Sequence, residues 1–90
     1  MRVARRFLVS GHVQGVGFRF YARNAARREG LGGHVTNHAD GSVEVVAEGE
    51  AEAMTRFERA LHQGPSRSQV AHVRVDEVVP AGLNAGFEIR

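Results

Sequence analysis

The sequence predicts an α+β sandwich of order β-α-β-β-α-β, an antiparallel sheet covered on one face by two helices. Three observations lead to that expectation. Apolar and polar side chains alternate over residues 3–13, 43–48 and 72–79, the period of half-buried strands. Two segments, residues 18 to about 30 and 50–63, instead return their apolar residues at helical spacing. Turn residues punctuate the boundaries at Gly30, Asp40-Gly41, Gly64-Pro65 and Pro80-Ala81-Gly82.

In the first strand Phe7, Val9, Gly11 and Val13 share one face, Arg6, Ser10 and His12 take the other, and Leu8 is the exception. The helix that follows has a narrow face of Ala22, Ala25 and Ala26 for close packing. Arg27 and Arg28 complement its dipole and Gly30 ends it. Residues 32–38 read as the second strand, and Asp40-Gly41 as the hairpin turn into a third. On that third strand Val43, Val45 and Ala47 alternate with Glu44 and Glu48. The second helix gathers Ala53, Met54, Phe57, Ala60 and Leu61 on one stripe, starts with acidic residues and stops at Gly64-Pro65. Val73, Val75 and Val79 mark the fourth strand, and Phe87 with Ile89 a short final one.

This order matches the split βαβ, ferredoxin-like sandwich, with strands one and three central and strand two beside strand three. The helix between strands one and two returns the chain, so both run the same way. Their C-terminal ends, near Val13 and Asn37, therefore reach one edge of the sheet, two strand spacings or roughly 10 Å apart.

Ninety residues predict one domain, 1–90, able to bury only about 60% of its unfolded surface. With no cysteine, disulfides and thiolate metal sites are excluded. No apolar run approaches the length of a membrane span, and Phe7-Leu8-Val9 is too short for a secretory core, so the cytoplasm is the expected compartment. All twelve basic residues are arginine, yet the net charge is only +2. Arg5-Arg6 and Arg27-Arg28 lie scattered among acidic residues, as on a solvated surface rather than a nucleic-acid-binding block.

The most informative stretch is Gly11-His12-Val13-Gln14-Gly15-Val16-Gly17-Phe18-Arg19. It places a glycine-rich turn between a strand and a helix. The first N–H groups of a helix lack partners and attract anions, and helices usually recruit Asp or Glu there. The first turn here, FRFYA, supplies only Arg19. Gly15 and Gly17 permit unusual φ values, so Gln14, Gly15, Val16, Gly17, Phe18 and Arg19 can aim successive N–H groups at one phosphate. Arg19 adds a planar fork matched to two phosphate oxygens. Two nucleotide motifs are excluded: a dinucleotide fingerprint needs Gly or Ala where Phe20 stands, and a Walker A loop needs a lysine, which the chain lacks.

That stretch resembles the Gly-x-Val-Gln-Gly-Val-x-Phe-Arg signature of the acylphosphatase family. Gly33-His34-Val35-Thr36-Asn37, followed by Asp40-Gly41-Ser42-Val43-Glu44 and Gly49, resembles the family's second signature, and Gly64-Pro65 and Phe87-Glu88-Ile89-Arg90 also fit. The resemblance runs end to end. It implies a small monomeric enzyme, free of metal and cofactor, that hydrolyses acyl phosphates to a carboxylate and inorganic phosphate. By motif position it implies that Arg19 binds phosphate with the loop N–H groups and that Asn37 orients the attacking water. His34 and Thr36 depart from the family pattern. Both have the opposite parity to Asn37, so they are expected to affect stability or substrate reach rather than the chemical step.

The chemistry agrees with so sparse a site. An acyl phosphate releases a carboxylate, whose conjugate acid has a pKa of about 4, so no general acid is needed. A phosphate monoester releases an alkoxide and would call for a metal, a nucleophile or a strong acid. Asp40 is assigned to the turn. None of the five histidines receives a catalytic role: His34 and His38 would share a strand face some 13 Å apart, and His12 points away from the core. Phe20 and Tyr21 are expected to pack.

Two other classes remain to be weighed. An RNA-binding sheet needs exposed aromatics on its central strands, and the third strand has none, so nucleic acid is not an expected partner. A module that binds a small anion without turning it over is opposed by the Arg19–Asn37 pairing, and a turnover assay separates the two.

Overall fold

The computed structural model describes residues 1–83 and 86–90. The elements are β1 (Arg2–His12), α1 (Phe18–Arg28), β2 (Gly32–Asn37), β3 (Val43–Glu50), α2 (Ala51–Gln63), β4 (Gln69–Val78) and β5 (Gly86–Ile89). The sheet order is β4-β1-β3-β2-β5. As the sequence predicts, β1 and β3 are central and β2 flanks β3. One expectation needs correcting. The sheet is antiparallel through β4, β1, β3 and β2, but β5 adds to β2 in parallel, Val35 pairing with Ile89. Alternation in Phe87 and Ile89 marks a buried face and carries no information on strand direction.

The alternating residues of β1 and β3 meet in register, Phe7 opposite Val45 and Val9 opposite Val43. Across β3 lies β2, with Val35 opposite Val45 and Asn37 opposite Val43. All but Asn37 are fully buried. Above them α1 lays down Phe18, Ala22, Ala25 and Ala26, and α2 lays down Ala53, Met54, Phe57 and Leu61. Phe57 is the hub, edge-on to Phe7 at 5.8 Å and to Phe87 at 6.1 Å. Truncating such a ring to Ala costs about 3–5 kcal/mol through lost transfer energy and the cavity left behind.

Alanines on α1 hold it close to the sheet, and its C-terminus closes in a Schellman motif. Leu31 N–H donates to Ala26 O at 2.9 Å and Gly30 N–H to Arg27 O at 3.1 Å. The hydroxyl of Tyr21 donates to Ala60 O at 2.8 Å, tying α1 to α2, so Tyr21 packs as expected. Strand β4 starts three residues earlier than its alternation indicates. Ser10 pairs with His72 but Gly11 with Val70, so Ala71 is the extra residue of a bulge, and the shifted register hides the pattern.

The other sheet face carries cross-strand charge pairs. Arg6 binds Glu44 and lies 3.6 Å from Asp76, while Glu44 also contacts His38 Nε2 at 2.7 Å. Glu48 is 1% exposed beneath the segment after β4, accepting hydrogen bonds from the N–H groups of Ala81 at 2.8 Å and Gly82 at 3.1 Å, and from Arg2 at 3.0 Å.

Candidate active site

Between β1 and α1 the chain turns through Gly15 (φ 75°) and Gly17 (φ 79°), the left-handed region open to glycine at little cost. Gly17 serves as N-cap of α1 with no side chain to cap the helix and no acidic residue in the first turn. The first intrahelical N–H bond is that of Tyr21 to Gly17 O at 3.0 Å. The amides of Phe18, Arg19 and Phe20 precede it and face outward with the positive end of the helix dipole. Arg19, half-buried, joins none of the ion pairs among the described residues.

These groups line a cavity of about 100 Å³, several times the space one water needs. Gln14, Gly15, Gly17, Phe18 and Arg19 come from the loop and the helix start, Val13 from the end of β1, and Asn37 from the end of β2. The two strand ends that run the same way thus converge on one pocket. Val16 turns its side chain to the core, so only its main chain is available to a ligand.

Asn37 carries the most informative atom in the cavity. Its Oδ1 is buried and has no hydrogen-bond partner among the described residues. A buried acceptor left unpaired costs about 1–3 kcal/mol, so its persistence calls for a cause. His34 and Thr36 sit on the opposite face of β2, away from the cavity.

Two residues do more than the sequence indicates. Gln14 lines the cavity, and its side chain is also engaged elsewhere, donating from Nε2 to His38 O at 2.7 Å and Ser42 O at 2.9 Å. It staples the loop to the β2–β3 turn, leaving its own main chain for an anion. Phe20, expected to pack, is 53% exposed and lines the cavity. Its position in a helix facing an open pocket decides this, and no local pattern announces it.

Asp40 closes its turn, accepting from Ser42 N–H at 2.9 Å and Ser42 Oγ at 2.6 Å. Those bonds, the hydroxyl first, hold its carboxyl below the ordinary range. His12 is exposed at the end of β1. Among the described residues no group of three or more His, Cys, Asp or Glu side chains is arranged to hold a metal ion.

The family model described as acylphosphatase matches residues 5–89. The chain belongs to the acylphosphatase family. An acylphosphatase of Alcanivorax borkumensis is 51% identical over 73 residues, covering 81% of this chain and 79% of that protein. One from Pseudomonas paraeruginosa is 46% identical over 89 residues, covering 99% of this chain and 97% of its own length. The crystal structure of acylphosphatase from Bacillus subtilis superposes with a TM-score of 0.94 at 37% identity, covering 100% of this chain and 99% of that one. As an acylphosphatase the chain is a hydrolase of acyl phosphates, and its cavity is the place to look for that chemistry.

Proposed function

We propose that residues 14–19 hold the phosphoryl group of an acyl phosphate and that Asn37 orients the water that attacks it. Successive loop N–H groups, the helix dipole and the Arg19 fork all favour charge on the equatorial phosphoryl oxygens, where it gathers in the transition state. The water donates one hydrogen bond to Asn37 Oδ1, the unpaired buried acceptor that chiefly supports this reading. An amide cannot take the water's proton, so a substrate phosphoryl oxygen accepts it. The carboxylate then leaves without a general acid or a metal ion. Positioning and electrostatics do the rest.

The same reading takes the ninety residues as one catalytic domain and as a cytoplasmic monomer acting on a small molecule. The open sheet face supports this choice of partner. On β1 and β3 it presents Arg6, Leu8, Glu44 and Val46, with no aromatic ring on which a base could stack.

The test is hydrolysis of benzoyl phosphate with phosphate binding followed by calorimetry. Arg19→Ala is expected to lose phosphate binding, whereas Asn37→Ala keeps it and loses turnover by about a hundred- to a thousandfold. Robust turnover by Asn37→Ala would overturn the role given to that amide.

A further inference from the structure

The cavity stands at one end of a basic ridge. Arg19, Arg23 and Arg27 recur every four residues of α1, so they climb one face of the helix, each about 6 Å beyond the last. None of the three joins an ion pair among the described residues. Arg27 donates to Phe87 O at 3.4 Å. Arg23 is held differently. Its guanidinium carbon lies 5.1 Å from the centroid of the Phe20 ring, a cation–π contact. Its Nε is buried with no acceptor among the described residues.

A solvated arginine on a helix surface keeps its N–H groups in water. Here the half-buried Arg23 lies over Phe20 with its Nε covered and unpaired, beside a ring that is itself 53% exposed at the cavity. The charge is thus presented at a fixed place, one helical turn from the phosphoryl end of the pocket. The first turn and the ridge contain no carboxylate to neutralise it.

We propose that Phe20 and Arg23 form an acyl-group subsite that selects acyl phosphates whose acyl group carries a second anion. That inference rests on the reading of residues 14–19 as the phosphoryl site. With the phosphoryl group at Arg19, the acyl chain leaves the cavity along the Phe20 ring, and its far anion, a carboxylate or a phosphate, meets the guanidinium fork of Arg23. Arg27, engaged with Phe87, adds field rather than contact.

Three phosphonates that cannot be hydrolysed test this by calorimetry: butylphosphonate, 4-phosphonobutanoate and propane-1,3-bisphosphonate. The two with an anionic tail are expected to bind about tenfold tighter than butylphosphonate, the scale of one charge-assisted hydrogen bond. Which of the two binds tighter identifies the tail. Arg23→Gln should bring the ratio close to one, and Arg23→Lys, which keeps the charge, should restore most of it. The kcat/KM ratio of succinyl phosphate over butyryl phosphate is expected to follow the same order, through KM. Equal binding of all three by the wild type, or a preference that survives Arg23→Gln, overturns the subsite. A protein that shows the phosphonate preference but hydrolyses neither acyl phosphate would keep the subsite and lose the hydrolytic reading.

Discussion

Gln14 Nε2 donates to the main-chain oxygen of His38 at 2.7 Å, joining the glycine loop of residues 14–19 to the residue that follows Asn37. A second bond from the same amide reaches Ser42 O at 2.9 Å. The two halves of the candidate site sit on strands separated by β3, and this side chain fixes one against the other. Both carbonyls also accept from the turn itself, His38 N–H to Ser42 O at 2.9 Å and Gly41 N–H to His38 O at 3.1 Å. Removing Gln14 therefore loosens the pairing without leaving either carbonyl wholly unpaired.

Gln14→Ala is expected to cost about 1–2 kcal/mol in urea denaturation, the net worth of two hydrogen bonds. Its effect on turnover is expected to exceed its effect on phosphate affinity. On the proposed mechanism the loop amides and Arg19 remain, while a water held by Asn37 would shift relative to the phosphorus, and small misplacements weigh heavily on rate. Equal changes in kcat and in phosphate affinity would show that the residue acts on the loop alone.

Two glycines are expected to respond to alanine in different ways. At Gly17 a Cβ meets nothing within 4 Å, so Gly17→Ala is charged only the left-handed backbone, about 1–2 kcal/mol. At Gly33 (φ 144°) a Cβ would run into the carbonyl oxygen of Val46 on the adjacent strand. Gly33→Ala combines strain with a backbone clash and is expected to cost about 3–5 kcal/mol. Chemical denaturation ranks them. Phosphate calorimetry should reverse the ranking, because Gly17 lines the cavity and Gly33 lies at the opposite end of β2 from Asn37.

Period and punctuation were enough to read five strand positions, two helices and the convergence of Val13 and Asn37, because burial on one face imposes them locally. Other features depend on pairing across the chain. The bulge at Ala71 displaces the start of β4, and the parallel seat of β5 follows from what flanks β2. Arg19 stands out in the sequence because a bare helix start leaves a local signature, whereas Asn37 is named only through the resemblance to the family's second signature; the fold brings both to one cavity. The Gln14 staple was not legible, since its acceptors are carbonyls 24 and 28 residues away. Phe20 was misread as packing because helical spacing alone does not tell a core face from the rim of a pocket.

The leaving group sets a further expectation. If stabilising equatorial charge is the whole task, the rate depends on how readily the leaving oxygen departs. Benzoyl phosphate should be hydrolysed at the same rate with or without excess chelator, while an alkyl phosphate is left intact over the same period. Loss of activity on chelation, regained with a divalent ion, would contradict a mechanism built only from amides and Arg19.

Acid is expected to loosen the fold from the sheet face opposite the helices. Burial pushes the Glu48 carboxyl up, but the N–H groups of the 81–83 segment and the Arg2 guanidinium outweigh it and hold the group below the ordinary value of 4.5. The Arg6 hydrogen bond, with help from His38 and against burial, lowers Glu44 in the same way. A carboxyl depressed in the folded state contributes stability that is complete above its unfolded value and is lost as pH falls through the folded one. His34, lowered first by burial and then by Arg90, acts in the same direction from a higher pH: its unfolded form takes up a proton below about 6.5, before the folded form does. Urea midpoints should therefore fall slightly below pH about 6.5 and steeply below pH about 4.5. Glu48→Gln should lower stability at neutral pH and flatten the steep acid limb, because the amide keeps the shape of the carboxyl without its charge. Faster hydrogen exchange at Ala81 and Gly82 than at β3 on acidification would locate the loosening there. An acid limb unchanged by Glu48→Gln would place its origin elsewhere.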